Sequence, residues 1–413
     1  MLNSGDASII LAQVRLLRRK FPNAQISITS RTPGLDRPAY DPLKIRVLPP
    51  FFPVPSLYPS LVGKVIQVLK AGLSVADKSQ LVREIRNSDL VVSSGGGYFF
   101  SYRRYLPGPM FLQNYLSVKV AAAFRKQVVM FPQSFGPLFS PPAARMLKGL
   151  LENKEIVKIY ARESTSQAFL QQLLNGEAVG KTELCPDLAF LLTKNDMSSP
   201  KRWLPELPKP VLALTARHWN FPGAASRRDQ REKQRLFLAS LEEACVEFQR
   251  KWKGSILIVP QARGPGFLED DRKDSQTIWR RLRPLISRRN LAYLDLPSMM
   301  SPSEMIGIFS RADLILATRF HSAIFGLALG IPVISLAYQA KSLSTLKWLG
   351  LDDWSLAMNE ISPEKIIRLM ERIFEENLPL RKKIERQIEL ARTTIESRLG
   401  TFLDTIQGSQ TAG

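Results

Sequence analysis

The sequence predicts an α/β protein of two successive halves, each a mostly parallel sheet with helices between its strands. Three observations predict it. Short apolar runs recur and end in polar residues, as at residues 211–215 before Ala216-Arg217-His218-Trp219 and at 255–259 before Pro260-Gln261-Ala262-Arg263. Residues 311–338, RADLILATRFHSAIFGLALGIPVISLAY, read as strand, turn, tightly packed helix, turn and strand, with the polar residues at the carboxyl end of the first strand. Residues 193–210 hold four prolines among mixed polar residues and mark a linker.

At 413 residues the chain exceeds the size at which a single core stops growing, so two domains are expected. They are placed at 1–195 and 211–378, with the linker over 196–210 and a charged helix and loose tail over 379–413. Lys and Arg number 58 against 37 Asp and Glu, a net charge of +21, which favours anionic partners: a phosphorylated substrate, an acidic polymer, nucleic acid or an anionic membrane face. The basic clusters at 15–20, 280–289 and 381–392 have no zinc-finger spacing or RNA-binding aromatic signature beside them, so no specific nucleic acid is expected. A solvated charged surface is the plain alternative. Cys185 and Cys245 are too few for a disulfide scaffold or a cysteine zinc site, and with only two histidines no metal site is expected. No uncharged apolar run is long enough for a bilayer, and the start has no signal-peptide block. A cytoplasmic protein is expected, with peripheral contact at the inner face of the membrane as one use of the charge.

Taken in order, Asn3-Ser4-Gly5-Asp6 is a turn feeding a helix over about 7–20, and 26–30 is a strand. The turn looks like the exit from a strand, so an upstream strand is expected. Eight prolines between 31 and 60 argue against a regular helix or central strand there. With Phe51, Phe52, Leu57 and Tyr58 the stretch reads as a stiff loop. Residues 61–70 and 77–87 look helical. A strand at 89–93 runs into Ser94-Gly95-Gly96-Gly97, whose exposed N–H groups suit an anion. A helix at 110–124 and a strand at 128–131 lead to the stiff loop Pro132-Gln133-Ser134-Phe135-Gly136-Pro137. A strand at 156–160 is followed by Ala161-Arg162-Glu163-Ser164, where Ser164 is placed to cap a helix to about 174. After the linker come helices at 229–251 and 275–287, a strand at 291–294, and Ser301-Pro302-Ser303-Glu304, a capping box with proline in the first turn. Residues 353–358 return to the sheet, and helices at 363–376 and 380–400 finish the chain. Two Rossmann-like halves emerge, and a ligand between facing sheet ends follows. Neither half has the full G-x-G-x-x-G spacing nor a Walker lysine, so no dinucleotide cofactor is expected.

These motifs, in this order, resemble the polysaccharide pyruvyl transferases. The match runs from Asn3 to about Glu375. It rests on Asn3-x-Gly5-Asp6, Gly95-Gly96-Gly97, Gln133-Ser134-Phe135-Gly136-Pro137, Ala161-Arg162-Glu163, Asp187-Leu188-Ala189-Phe190 and above all Arg319-Phe320-His321-Ser322. The resemblance implies a fold similar to the two-domain GT-B glycosyltransferases. It also implies transfer of the carboxyvinyl group of phosphoenolpyruvate to a sugar, generally giving a cyclic ketal. Phosphoenolpyruvate is then the donor, and a soluble or lipid-linked glycan the acceptor, with no cofactor. His321 is implied as catalytic, with Arg217 and Arg319 near the donor. Contacts from Gly95, Gly96, Gly97, Gln133 and Ser322 follow from the same motifs.

The residues themselves fit that chemistry. Imidazole exchanges a proton near neutral pH, which suits His321 to acid–base work. The arginine fork matches a carboxylate and a phosphate, which favours Arg217 and Arg319, then Arg162 and Arg263; the last two also suit an interdomain salt bridge. Asp6 suits a sugar hydroxyl, or equally an N-cap for the first helix. His218 fits an exposed turn as well as a site beside Arg217. The competing readings are a sugar-nucleotide glycosyltransferase, a basic nucleic-acid-binding protein and an inactive scaffold.

Overall fold

The computed structural model describes residues 3–51, 79–198, 204–221, 224–264, 270–295, 300–337 and 340–411. The aromatic loop expected through Tyr58 and the helix expected at 61–70 lie mostly or wholly outside them. The chain forms two compact units: residues 1–12 with 189–393, and residues 13–188 with 394–413. They differ from the expected domains at both ends of the chain. Two continuous helices, Ser4–Lys20 and Asn377–Ile395, contribute residues to both units.

In chain order the strands are β1 (Ile26–Thr29), β2 (Ile45–Leu48), β3 (Leu90–Ser93), β4 (Gly96–Ser101), β5 (Gln127–Leu138), β6 (Ile156–Ala161), β7 (Thr182–Leu184), β8 (Val211–Leu214), β9 (Ser255–Ile258), β10 (Leu291–Tyr293), β11 (Leu314–Ala317), β12 (Val333–Ala337) and β13 (Ser355–Ala357). The unit that holds 189–393 has one parallel sheet in the order β10-β9-β8-β11-β12-β13. Every residue of β8, β9, β11 and β12 is buried, which is why these strands read as unbroken apolar runs rather than alternating ones. From β8 the sheet grows in one direction through β9 and β10, and in the other through β11, β12 and β13. The β8–β11 neighbourhood is therefore the topological switch point, where open α/β sheets bind ligands outside their strand ends.

The other unit has a parallel pair, β1 with β2, and a parallel sheet β3-β5-β6-β7 in which β4 also pairs with β5. Its core is aromatic: Phe99 stacks on Phe135 with ring centroids 5.8 Å apart and meets Phe111 edge-on at 6.1 Å.

Several local expectations are corrected. The proline-rich stretch contains a helix, Pro33–Tyr40, and the strand β2. Pro33 sits in the first turn, where its missing N–H costs nothing, and β2 lies between Pro42 and Pro49, so no proline interrupts its ladder. Residues 132–137 are not a loop but the second half of β5, held by β4 on one side and by a Gln133–Ala161 pairing on the other. Glu163, not Ser164, is the N-cap of helix Ser164–Leu173. The tail beyond 405 continues as helix Thr401–Thr411. The capping box at Ser301 is present as expected, with Ser301 Oγ accepting from the Glu304 N–H and the Glu304 carboxylate accepting from the Ser301 N–H.

Candidate functional site

At the switch point, the ends of β8 and β11 are tied by two threonines. Thr318 N–H donates to Thr215 Oγ1 at 2.9 Å, and both residues are buried. Arg319 then caps helix Phe320–Ala328 with extended backbone, so His321 is the second residue of a helix whose N-terminus points out from the sheet's carboxyl edge.

His321 is 9% exposed. Its ring meets Phe320 edge-on at 5.2 Å and lies 6.4 Å from Phe325. Against its other side comes the first turn of helix Ser4–Lys20. A Cβ built on Gly5 would lie 2.3 Å from His321 Nδ1, so only glycine allows this approach. The turn is itself fixed: Gly5 N–H donates to Asn3 Oδ1 at 3.0 Å, Asn3 Nδ2 donates to Asp6 Oδ2 at 3.2 Å, and Ser4 Oγ donates to the Gln261 carbonyl at 3.1 Å. Asn3 thus takes the capping role expected of Asp6, because it stands just before the helix and meets its second N–H, whereas Asp6 is already the third helical residue. Asp6 lies one residue beyond Gly5 and closes the turn from inside it.

Arg319 directs Nε and Nη2 at the Asp271 carboxylate, with Nε 3.0 Å from each oxygen. Asp271 is fully buried and also accepts from the backbone N–H groups of Gln261, at 3.2 Å, and Ala262, at 3.0 Å. Ser322 Oγ donates to Gln261 Oε1. Arg319, Asp271, Gln261, Ser322 and the Asn3 turn therefore form one hydrogen-bonded frame around His321.

Arg217 follows β8. Its guanidinium lies 5.5 Å from the Trp219 ring centroid and its Nε donates to the His218 carbonyl at 3.1 Å. Gln234 holds this turn by donating to the Arg217 carbonyl and accepting from Trp219 N–H. His218 Nδ1 lies 3.6 Å from Asp274 Oδ2. Burial pushes the Asp274 carboxyl above its ordinary value, against the pull of His218. Arg263 pairs in a short antiparallel bridge with Asp270, and burial, followed by the neighbouring Arg272 charge, holds its guanidinium below its ordinary value.

The remaining expected residues lie in the unit of residues 13–188. Gly96 and Gly97 are on β4, opposite Gln133 and Ser134, and do not open a helix. Gly96 has φ +131°, and a Cβ there would come within 2.6 Å of the Tyr98 ring. Gly95 joins β3 to β4, its carbonyl accepting from Ser94 Oγ at 3.2 Å. Gln133 is fully buried and donates to Ser93 Oγ at 3.3 Å; its Oε1 has no hydrogen-bond partner among the described residues. Gln13 accepts from Ser94 Oγ at 3.1 Å, and its buried Nε2 has none either. Two neighbouring serines thus hold two amides, one with an unused acceptor and one with an unused donor.

Arg162 is placed differently from expectation. Its side chain is 1% exposed and forms ion pairs with Asp187 at 2.8 Å and Glu163 at 3.2 Å, while Nε donates to Ser134 Oγ at 2.8 Å. The salt bridge lies inside one unit and ties the second half of β5 to the turns after β6 and β7. Sequence reasoning missed Asp271, Gln13 and Asp274. Asp271 had a signal, as the last of three consecutive acidic residues just before a helix. Gln13 had none, lying mid-helix among apolar residues.

A family model described as polysaccharide pyruvyl transferase matches residues 3–340. The amylovoran biosynthesis protein AmsJ of Erwinia amylovora is 21% identical over 318 residues, covering 76% of this chain and 72% of its own. HepE from Anabaena, solved with UDP and glucose, superposes with a TM-score of 0.55 at 11% identity over 98% of this chain and 96% of its own. UDP-GlcNAc 2-epimerase from Neisseria meningitidis gives 0.56 at 13% identity over 95% and 98%. These likenesses bear out the two-domain, GT-B-like α/β fold. Among the described residues no helix is long and apolar enough to cross a membrane.

Proposed function

The chain belongs to the polysaccharide pyruvyl transferase family, and so is an enzyme; we propose that it transfers the carboxyvinyl group of phosphoenolpyruvate to a sugar and closes a pyruvate ketal. The observation that carries this reading is the imidazole of His321 at a helix N-terminus on the switch point, walled by Gly5 and framed by Arg319 and Asp271.

In the proposed reaction, one sugar hydroxyl adds across the enol double bond. Its oxygen bonds to the carbon that bears phosphate, and the terminal methylene takes a proton to become methyl. A second hydroxyl then attacks the same carbon, inorganic phosphate leaves, and the ring closes. His321 is proposed to carry a proton in these steps, a role worth roughly 10²–10⁴ in rate. The N–H groups that open helix Phe320–Ala328 offer the leaving phosphate a favourable dipole. Arg217, whose guanidinium lies beside Trp219, is proposed to meet the donor carboxylate. Arg319 acts through its pair with Asp271, holding the start of the helix that carries His321. Arg263 is a second cation for the donor.

Gln133 and Gln13 support a neutral acceptor in the other unit. A buried amide with an unused hydrogen-bonding atom costs about 1–3 kcal/mol, and sugar hydroxyls both donate and accept. Gly95, Gly96 and Gly97 keep the neighbouring backbone free of side chains. Acceptors are proposed to be glycans or lipid-linked precursors handled in the cytoplasm. Incubating the protein with phosphoenolpyruvate and such glycans tests the reading. Phosphate release with a product heavier by one pyruvate ketal supports it, whereas turnover of a sugar nucleotide alone overturns it.

A further inference from the structure

The segment that leaves β4 carries an exposed surface that neither donor nor acceptor chemistry explains. Tyr102, Arg103, Arg104, Tyr105 and Leu106 are five consecutive exposed residues. Tyr105 is 84% exposed, Tyr102 56% and Leu106 51%. The loop is closed at its base, where Gly108 N–H donates to Ser101 Oγ at 3.0 Å. Beside that base Phe139 N–H donates to the Ser101 carbonyl at 2.9 Å, and the Phe139 side chain is 57% exposed. The rings are in contact: Tyr102 lies 5.3 Å from Phe100 and 6.0 Å from Phe139. This is a contiguous aromatic patch with two arginines at its tip, on a tied loop.

Charge along the chain points the same way. From Leu90 to Leu151 there is no Asp or Glu, while Arg103, Arg104, Lys119, Arg125, Lys126, Arg145 and Lys148 are present. The loop thus lies within a stretch of uniformly basic charge.

We propose that the loop 102–107, with Phe139, docks this protein on an anionic lipid surface. Tyrosine rings are amphipathic and settle at the level of lipid headgroups, leucine and phenylalanine enter the acyl boundary, and arginine pairs with lipid phosphate. A soluble acidic polymer would match the arginines but would leave Leu106 and Phe139 in water. The proposal goes beyond the pyruvyl-transfer reading and does not depend on it.

The test is co-sedimentation of the full chain with vesicles of phosphatidylcholine containing phosphatidylglycerol, and with phosphatidylcholine alone. Binding to the anionic vesicles is expected, with little to the neutral ones. Each basic residue at such a surface changes partitioning roughly fivefold, so Arg103→Gln with Arg104→Gln should lower it about twenty-five-fold. Tyr105→Ser with Leu106→Ser should lower it several-fold at constant charge. Arg288→Gln with Arg289→Gln, an exposed pair in the other unit, should leave it unchanged. The proposal is overturned if wild-type protein ignores anionic vesicles, if the loop variants bind as wild type does, or if the control pair weakens binding equally. Far-ultraviolet circular dichroism of each variant checks that it is folded. Phosphate release with a soluble glycan is read separately, so loss of one result leaves the other standing.

Discussion

Gly5 and His321 meet so closely that a methyl group on Gly5 would lie 2.3 Å from Nδ1 of the imidazole and 2.5 Å from Cγ. The contact joins residues more than three hundred positions apart, in the first turns of helices Ser4–Lys20 and Phe320–Ala328. The segments on both sides of the contact are tied together, since Ser4 is bonded to Gln261 and Gln261 to Ser322.

Gly5→Ala is therefore expected to displace the imidazole without unfolding the protein. A shift of about 1 Å in a catalytic group costs on the order of 10²-fold in rate. Steady-state phosphate release should show that loss in kcat, with thermal stability lowered only modestly.

Asp271 and Arg319 are expected to behave as a coupled pair. Asp271→Ala leaves the largely buried Arg319 charge and two buried backbone N–H groups unmatched, and should cost about 3–5 kcal/mol in urea unfolding. Arg319→Ala added to it should cost much less than the sum of the two single changes. Simple additivity would show that the ion pair does not hold the frame.

The buried amide of Gln133 should show the opposite balance. Gln133→Met removes an unused acceptor and one hydrogen bond of 3.3 Å, so stability should stay within about 1 kcal/mol of wild type. The KM for the glycan is expected to rise at least tenfold, while that for phosphoenolpyruvate holds. Unchanged acceptor kinetics would remove Gln133 from the acceptor site.

Asp274 gives a pH dependence. Burial raises its folded-state pKa above the unfolded value near ~3.9, so across that window the native state holds more protons than the unfolded one. Its contribution to stability is therefore favourable at the acid side and is lost as pH rises through the folded pKa. Asp274→Asn should flatten that part of the stability profile. Thermal midpoints of both proteins across the mildly acidic range measure it.

Much of this was legible in the sequence. The strands of the second half announced themselves because β8, β9, β11 and β12 are buried on both faces, and Ser301 and Glu304 gave the capping box away. His321 was placed by its position after such a strand. The glycine run misled, because a triple glycine reads as a loop, yet Gly96 and Gly97 run beside Gln133 and Ser134 as strand. The pairing depends on a partner more than thirty residues away, which local pattern does not carry. Prolines misled likewise, since a helix tolerates Pro33 at its start and β2 fits between two others. Arg162 suited an anion ligand or a salt bridge between domains, and only the fold brings Asp187 to it within one unit.

The central claim is that the imidazole of His321 moves a proton during transfer from phosphoenolpyruvate. The direct measurement is phosphate release, with a glycan acceptor present, by wild-type protein and by His321→Ala at matched folded concentration. The expected rate of His321→Ala is lower by about 10²–10⁴-fold, with the KM for phosphoenolpyruvate little changed. Equal rates in the two proteins would contradict it.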